Sequence, residues 1–119
     1  MKIVVTLEND KGLNSELAMH FGQCKYFLIV DVENQEIKNT KVVPNTFQHG
    51  GVGCTGVEQI LRYNISYVIA GGMGRGAQQK LAQSGVEVFG YSGNVKQAIQ
   101  ELINNNLGEL ETCLNHGKH

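Results

Sequence analysis

The chain has 119 residues, 41% hydrophobic and 18% charged, which is typical of one globular domain and unlike a disordered chain. Ten basic and eleven acidic residues leave a net charge of −1, which disfavours a nucleic-acid-binding module. Glycine is overrepresented: 15 of the 119 residues are glycine, a fraction nearly twice the average usage of ~7%.

Cysteine usage and the start of the chain bear on location. Cys24, Cys54 and Cys113 are odd in number and lack CxxC spacing, so reduced thiols are expected rather than a disulfide framework. The first ten residues contain no apolar stretch long enough for a signal peptide or a membrane span. We therefore expect a cytoplasmic protein without membrane association.

The first three predicted elements are strands. Residues 2–7 (KIVVTL) are β-branched and run into the turn-forming sequence ENDKG. Two further strands, 25–32 and 36–43, are separated only by a short polar connection, which predicts an antiparallel hairpin. Pro44 ends the third strand, because proline cannot continue a sheet ladder.

The apolar pattern changes to a helical period after the glycine-rich loop at 44–53. Val57, Ile60 and Leu61 predict a helix of about ten residues, with Thr55 as its N-cap and Glu58 as the capping-box partner. The elements that follow are a strand at 66–70, a helix at 77–84 closed by Gly85, a strand at 86–89 and a helix at 94–105.

This order, β-β-β-α-β-α-β-α, predicts an α/β fold with a five-stranded mixed sheet and helices on both faces. We expect residues 1–108 to form a single domain and 109–119 a flexible tail. Right-handed crossovers place the loops after strands one, three, four and five at one end of the sheet. In open α/β sheets that end binds ligands.

Soft metal ligands are predicted at this end of the sheet. The loop after the first strand carries His20 and Cys24, and the loop after the third carries His49 and Cys54. Thiolate and imidazole suit zinc, copper(I) or iron–sulfur species rather than magnesium or calcium. Each residue alone is more simply explained as a loop or core side chain, so their convergence is what favours a metal site.

A glycine turn at 71–76 lies between the fourth strand and the second predicted helix. Backbone N–H groups and the helix dipole suit an anion there, and Arg75 adds a positive charge. Its order, GxxGxG, differs from the dinucleotide fingerprint, and a tight turn without any ligand is the alternative. The residues of the predicted anion site are Gly71, Gly72, Met73, Gly74, Arg75 and Gly76.

Four segments form a recognisable set: HFG at 20–22, YFLIVD at 26–31, VIAGGMGRGA at 68–77 and GVEVF at 85–89. Together they resemble the dinitrogenase iron–molybdenum cofactor biosynthesis family, which includes NifX, the NafY core domain and the C-terminal part of NifB. The resemblance spans roughly residues 2–110. It implies a ribonuclease H-like motif and the binding of iron–sulfur or molybdenum–iron–sulfur precursors. His20 matches the family's HFG, which implies a cluster contact, with the glycine turn cradling the cluster.

The expected function is therefore a carrier or scaffold for an anionic metal–sulfur cluster or cofactor precursor, not an enzyme. Its expected partners are the proteins that donate and accept the cluster, and a monomer is the expected state. One alternative is a metal-free interaction module. A second is a ribonuclease H-like enzyme acting on a phosphorylated substrate, which needs carboxylates such as Asp10 and Asp31 close together. Metal-ligating residue types also occur in the predicted tail, at Cys113, His116 and His119.

Overall fold

Five strands form one mixed sheet in the computed structural model, which describes residues 1–21, 24–45 and 56–104. The strands are β1 (Lys2–Leu7), β2 (Tyr26–Glu33), β3 (Glu36–Pro44), β4 (Tyr67–Ala70) and β5 (Glu87–Gly90). Their order in the sheet is β3-β2-β1-β4-β5. β2 is antiparallel to β1 and β3, whereas β4 is parallel to β1 and β5. The predicted α/β class and mixed sheet of a ribonuclease H-like motif are confirmed.

Helices cover both faces of the sheet, as predicted. They are α1 (Gly56–Leu61), α2 (Arg75–Gln83) and α3 (Val95–Ile103), with a short 3-10 turn at Gly12–Asn14. Alternate residues of β1 point to opposite faces. Val4 packs in one core cluster with α1 and α2, and Ile3 and Val5 pack in a second cluster with α3. None of the described helices is long and apolar enough to span a bilayer.

The hairpin between β2 and β3 is closed by Asn34 and Gln35, with φ angles of 53° and 64°. Glu33 and Glu36 face each other across the turn. Two consecutive positive φ angles are the signature of a type I′ turn, whose twist matches that of the flanking strands. Asn tolerates this conformation, but Gln35 occupies it at a cost of roughly 1–2 kcal/mol.

The observed ends of the three helices differ from the predicted ends by a few residues. α1 has six residues, fewer than the ten predicted, because the chain turns away and Asn64 adopts a left-handed φ of 58°. The predicted cap Thr55 lies outside the described residues. α2 begins two residues before its predicted start, at Arg75. α3 begins after Asn94, whose Oδ1 accepts the Gln97 N–H at 3.1 Å.

Gly85 ends α2 as predicted. Its φ is 81°, a conformation that glycine adopts without steric cost. Its N–H donates to Ala82 O at 3.0 Å, and the Val86 N–H donates to Leu81 O at 2.9 Å. These two bonds form a Schellman motif, which satisfies carbonyls at the helix end.

The strands that lead into loops end at one edge of the sheet. Leu7 lies beside Tyr26, which lies beside Pro44, and Ala70 lies beside Gly90. We call this side the carboxyl edge, after the carboxyl ends of β1, β3, β4 and β5. The predicted common edge for these loops is confirmed. The predicted domain boundary at 108 and the tail at 109–119 fall outside the described residues.

Replacing Gln35 with Gly is expected to stabilise the hairpin. Glycine avoids the left-handed penalty, but part of the gain is offset by its greater freedom in the unfolded chain. We expect a net gain of about 0.5–1 kcal/mol in the free energy of unfolding, measured by urea denaturation. Gln35→Ala is the control, because it removes the same side chain and keeps the penalty. Equal stabilities of the two variants would contradict the expectation.

Candidate functional site

The loop that follows β1 is bonded to the other loops of the carboxyl edge. The Leu17 N–H donates to Gly93 O at 2.9 Å, and the Val95 N–H donates to Ser15 O at 3.2 Å. Ser15 and Leu17 are buried. Residues 15–17 are therefore held by backbone hydrogen bonds against the segment that follows β5.

Residues 18–21 pair with the start of the glycine turn. The Gly71 N–H donates to Ala18 O at 3.0 Å, and the Phe21 N–H donates to Gly72 O at 2.8 Å. A Cβ on Gly71 would lie 2.5 Å from Ala18 O and 2.8 Å from Met19 Cα. A Cβ on Gly72 would lie 2.9 Å from Met19 O. The two backbones can approach this closely because both turn residues are glycine.

This pairing brings His20 beside the glycine turn. The His20 Nδ1 lies 3.8 Å from the place that a Cβ on Gly72 would occupy. The His20 side chain is exposed, and the neighbouring Met19 is 59% exposed. The structure thus places His20, the predicted cluster contact, beside the predicted anion site of the glycine turn, with its imidazole open to solvent.

The amino end of α2 continues the glycine turn toward solvent. Gly74 is the N-cap and contributes no side-chain hydrogen bond, and the first turn of the helix contains no acidic residue. The first N–H groups of a helix lack intrahelical partners, and the dipole adds about half a positive charge. Arg75 is exposed, and a Cβ on Gly74 or Gly76 would meet nothing within 4 Å. This end of α2 can therefore accept an anion.

Met73 differs from its neighbours in the turn. Its side chain is buried in the core cluster that packs against α1 and α2. Its carbonyl accepts a hydrogen bond from Gln78 Nε2 at 3.2 Å. The thioether is thus part of the core, and Met73 contributes only its backbone groups to the site.

Cys24, a predicted metal ligand, is a fully buried core residue. Burial raises the pKa of its thiol to about 12. Asn45 Nδ2 donates to the Cys24 carbonyl at 2.9 Å and approaches Sγ at 3.6 Å. Metal binding needs the thiolate, so ligation by Cys24 requires this side chain to lose both its proton and its burial.

The other predicted metal ligands, His49 and Cys54, lie outside the described residues, as do Cys113, His116 and His119. Within residues 1–21, 24–45 and 56–104, no three His, Cys, Asp or Glu side chains are grouped so that they could hold a metal ion. The ligand roles of these residues stay predictions.

The carboxylates required by the enzyme alternative lie at opposite edges of the sheet. Asp31 pairs with Lys2 at the amino end of β1, whereas Asp10 follows its carboxyl end at Leu7. The strand between them is roughly 17 Å long at ~3.4 Å per residue step. Asp10 and Asp31 therefore cannot share a metal ion, and this alternative loses its catalytic pair.

Two residues that sequence reasoning did not single out hold the site together. The Ala18 N–H donates to Thr6 O at 3.0 Å, and Thr6 Oγ1 donates to Ala18 O at 3.5 Å. Thr6 is fully buried at the end of β1. The one hydroxyl in an apolar strand was an available signal for Thr6. Ala18 acts through its backbone, which no side-chain pattern reveals.

Comparisons with known proteins agree with this architecture. A family model described as dinitrogenase iron-molybdenum cofactor matches residues 1–105. An uncharacterized protein of Methanocaldococcus jannaschii is 35% identical over 91 residues, which are 75% of this chain and 73% of that protein. A candidate NifB protein from Thermotoga is 30% identical, with a TM-score of 0.79 over 98% of both chains. The apo form of the orange protein from Desulfovibrio gigas shares the fold, with a TM-score of 0.79 and 21% identity over 93% of both chains.

The Cys24 thiol is expected to resist thiol reagents in the folded protein. With a pKa of about 12, it forms almost no reactive thiolate at neutral pH. A Cys54→Ser/Cys113→Ser variant isolates this thiol. We expect a chromogenic aromatic disulfide to leave it unmodified at about pH 8 and to modify it in guanidinium chloride. Rapid modification of the folded variant would show an accessible thiolate and contradict this expectation.

Proposed function

Because the chain belongs to the dinitrogenase iron-molybdenum cofactor family, we propose that it carries or scaffolds an anionic metal–sulfur cluster, or a precursor of one, at the carboxyl edge. Membership of this family supports a role in cofactor handling rather than catalysis. The cluster is accordingly the cargo of the protein, to be received from a donor protein and passed to an acceptor.

The observation that supports this proposal is the position of His20 beside the glycine turn and the amino end of α2. A metal–sulfur cluster presents soft metal ions and carries negative charge. The exposed His20 imidazole offers a nitrogen ligand to a metal ion. The N–H groups at the start of α2 and the Arg75 guanidinium suit the negative periphery of the same cargo.

Among the described residues, His20 is the one proposed metal ligand that is exposed, and so few ligands are consistent with release of the cargo. A cluster held by four thiolates is retained by its protein, whereas one held by an imidazole and hydrogen bonds can be passed on. His49 and Cys54 remain additional ligands proposed from the sequence, and Cys24 remains one only if its side chain leaves the core. A monomer in the cytoplasm, where cysteines stay reduced, completes the proposal.

Replacing His20 with Ala is expected to weaken cluster binding. The test is an anaerobic titration of the apoprotein with ferrous iron and sulfide, followed by visible absorbance after removal of unbound reagents. We expect the apparent affinity to fall about tenfold or more, because a direct ligand is lost.

Gln83→Ala is the control for this titration, since Gln83 is exposed at the far end of α2. Equal binding by the two variants would remove His20 from the site. If the unmodified protein binds neither iron and sulfide nor a thiomolybdate, the carrier proposal is wrong and a metal-free interaction module is favoured.

Arg75→Gln is expected to weaken binding through charge alone. An exposed guanidinium contributes little, so we expect a loss of about two- to fivefold at low salt. Salt screens such charges, so the loss is expected to shrink between about 0.05 M and 0.5 M salt.

Arg62→Gln is the matched control for Arg75→Gln. It removes the same charge at the opposite edge of the sheet, four residues before Ser66, whose N–H donates to Lys2 O at 2.9 Å. Equal losses in the two variants would indicate a general effect of net charge and contradict a local role for Arg75.

A further inference from the structure

We infer that Gly71 is a positioning residue for His20. Because Gly71 has no side chain, the backbone of residues 18 and 19 fits into the space beside it. This close packing determines the position of the His20 imidazole. The inference rests on the proposed function in its last step only, namely that the position of His20 controls the binding of the cluster.

The backbone groups at the start of the turn are already engaged within the protein. The Gly71 N–H bonds to Ala18 O at 3.0 Å, and Gly72 O accepts the Phe21 N–H at 2.8 Å. The Gly71 N–H therefore serves the protein and is not a donor to the cargo. This assigns Gly71 a role other than the anion cradle that glycine turns before helices usually provide.

A side chain on Gly71 would displace the segment that carries His20. Its Cβ would lie 2.5 Å from Ala18 O, 2.8 Å from Met19 Cα and 3.2 Å from Met19 C. Carbon atoms in proteins pack at about 3.5–4.0 Å, so the neighbours must move. All three neighbouring atoms belong to the backbone, so no side-chain rotation relieves the contact.

The displaced segment has little room to retreat toward the sheet. The Ala18 N–H is bonded to Thr6 O on β1 at 3.0 Å, and both residues are buried. Met19 and His20 are exposed, so solvent lies on their other side. The shift caused by a side chain at Gly71 therefore passes outward, through Met19 to His20 and away from the turn.

The turn thus contains two kinds of glycine. Gly71 and Gly72, the slot glycines, face the backbone of residues 18–19 so closely that a Cβ on either would lie less than 3.0 Å from it. Gly74 and Gly76, the open glycines, have nothing within 4 Å of their Cβ positions. The slot glycines position His20, and the open glycines leave the amino end of α2 uncovered.

The first test uses the apoprotein and needs no cluster. The variants are Gly71→Ala and Gly72→Ala, with Gly76→Ala adding the same methyl group at an open position of the turn. Nitrogen-15 spectra of the imidazole rings report the surroundings of His20, whose signals are identified by their loss in His20→Gln. We expect these signals to shift in Gly71→Ala, to shift less in Gly72→Ala and to stay in place in Gly76→Ala.

If Gly71→Ala does not fold, Gly72→Ala replaces it, because its Cβ makes only one contact below 3.0 Å, with Met19 O. That Cβ also lies 3.8 Å from His20 Nδ1, so displacement is shown in this variant only if the backbone amide signals of Ala18 and Met19 shift together with the ring signals. Unchanged His20 ring signals in the folded slot variants would overturn the inference. Ring signals that move equally in Gly76→Ala would overturn it too, since they would show a response to any change in the turn.

The second test titrates the folded slot variants with ferrous iron and sulfide, with Gln83→Ala as the control. We expect about a tenfold loss of apparent affinity and an altered visible spectrum of the bound cluster. Shifted ring signals with unchanged binding would overturn the link between His20 position and the cargo. If the unmodified protein binds no cluster, the proposed function fails, and the ring signals alone decide whether Gly71 positions His20.

Discussion

Two segments of backbone meet where residues 18–21 cross the turn that follows β4, at a separation that leaves no space for a side chain. The rest of the carboxyl edge depends on this contact. It fixes the loop after β1 against the central parallel strands, and it lets Ala18 and Phe21 close the core beneath. The same contact leaves His20 outside, beside the amino end of α2. Packing and site are thus two results of one steric constraint.

At the carboxyl edge, some side chains that could bind a ligand are exposed and others are buried. The Cys24 thiol and the Met73 thioether are soft groups, but both are buried in the core cluster. The imidazole of His20 and the guanidinium of Arg75 are exposed at the same edge. Desolvation keeps the Cys24 thiol protonated, with its pKa near 12, whereas the exposed groups are free to meet a ligand. Burial, rather than residue type, therefore sorts these side chains into core and site.

The sheet was predictable because its signals are local or topological. Apolar runs mark the strands, Gly85 marks a helix end, and right-handed crossovers decide the strand directions. The length of α1 was not predicted, because an asparagine fits both a continuing helix and the left-handed conformation that Asn64 adopts just after this one. The glycine excess indicated a need for close approach, but not its partner. That partner is the backbone of Ala18 and Met19, which are distant in sequence and carry no pattern. The burial of Cys24 likewise depends on tertiary packing.

The slot beside Gly71 has a consequence for the order of events in synthesis. Residues 18–21 leave the ribosome well before β4 and its turn. His20 therefore reaches its position beside the glycine turn only when the parallel pairing of β1 with β4 is complete. Such long-range pairing forms late, because the intervening chain must first be closed into a loop. A nascent or partly folded chain therefore lacks the assembled site. Under the proposed function, cargo loading is therefore coupled to completion of the fold.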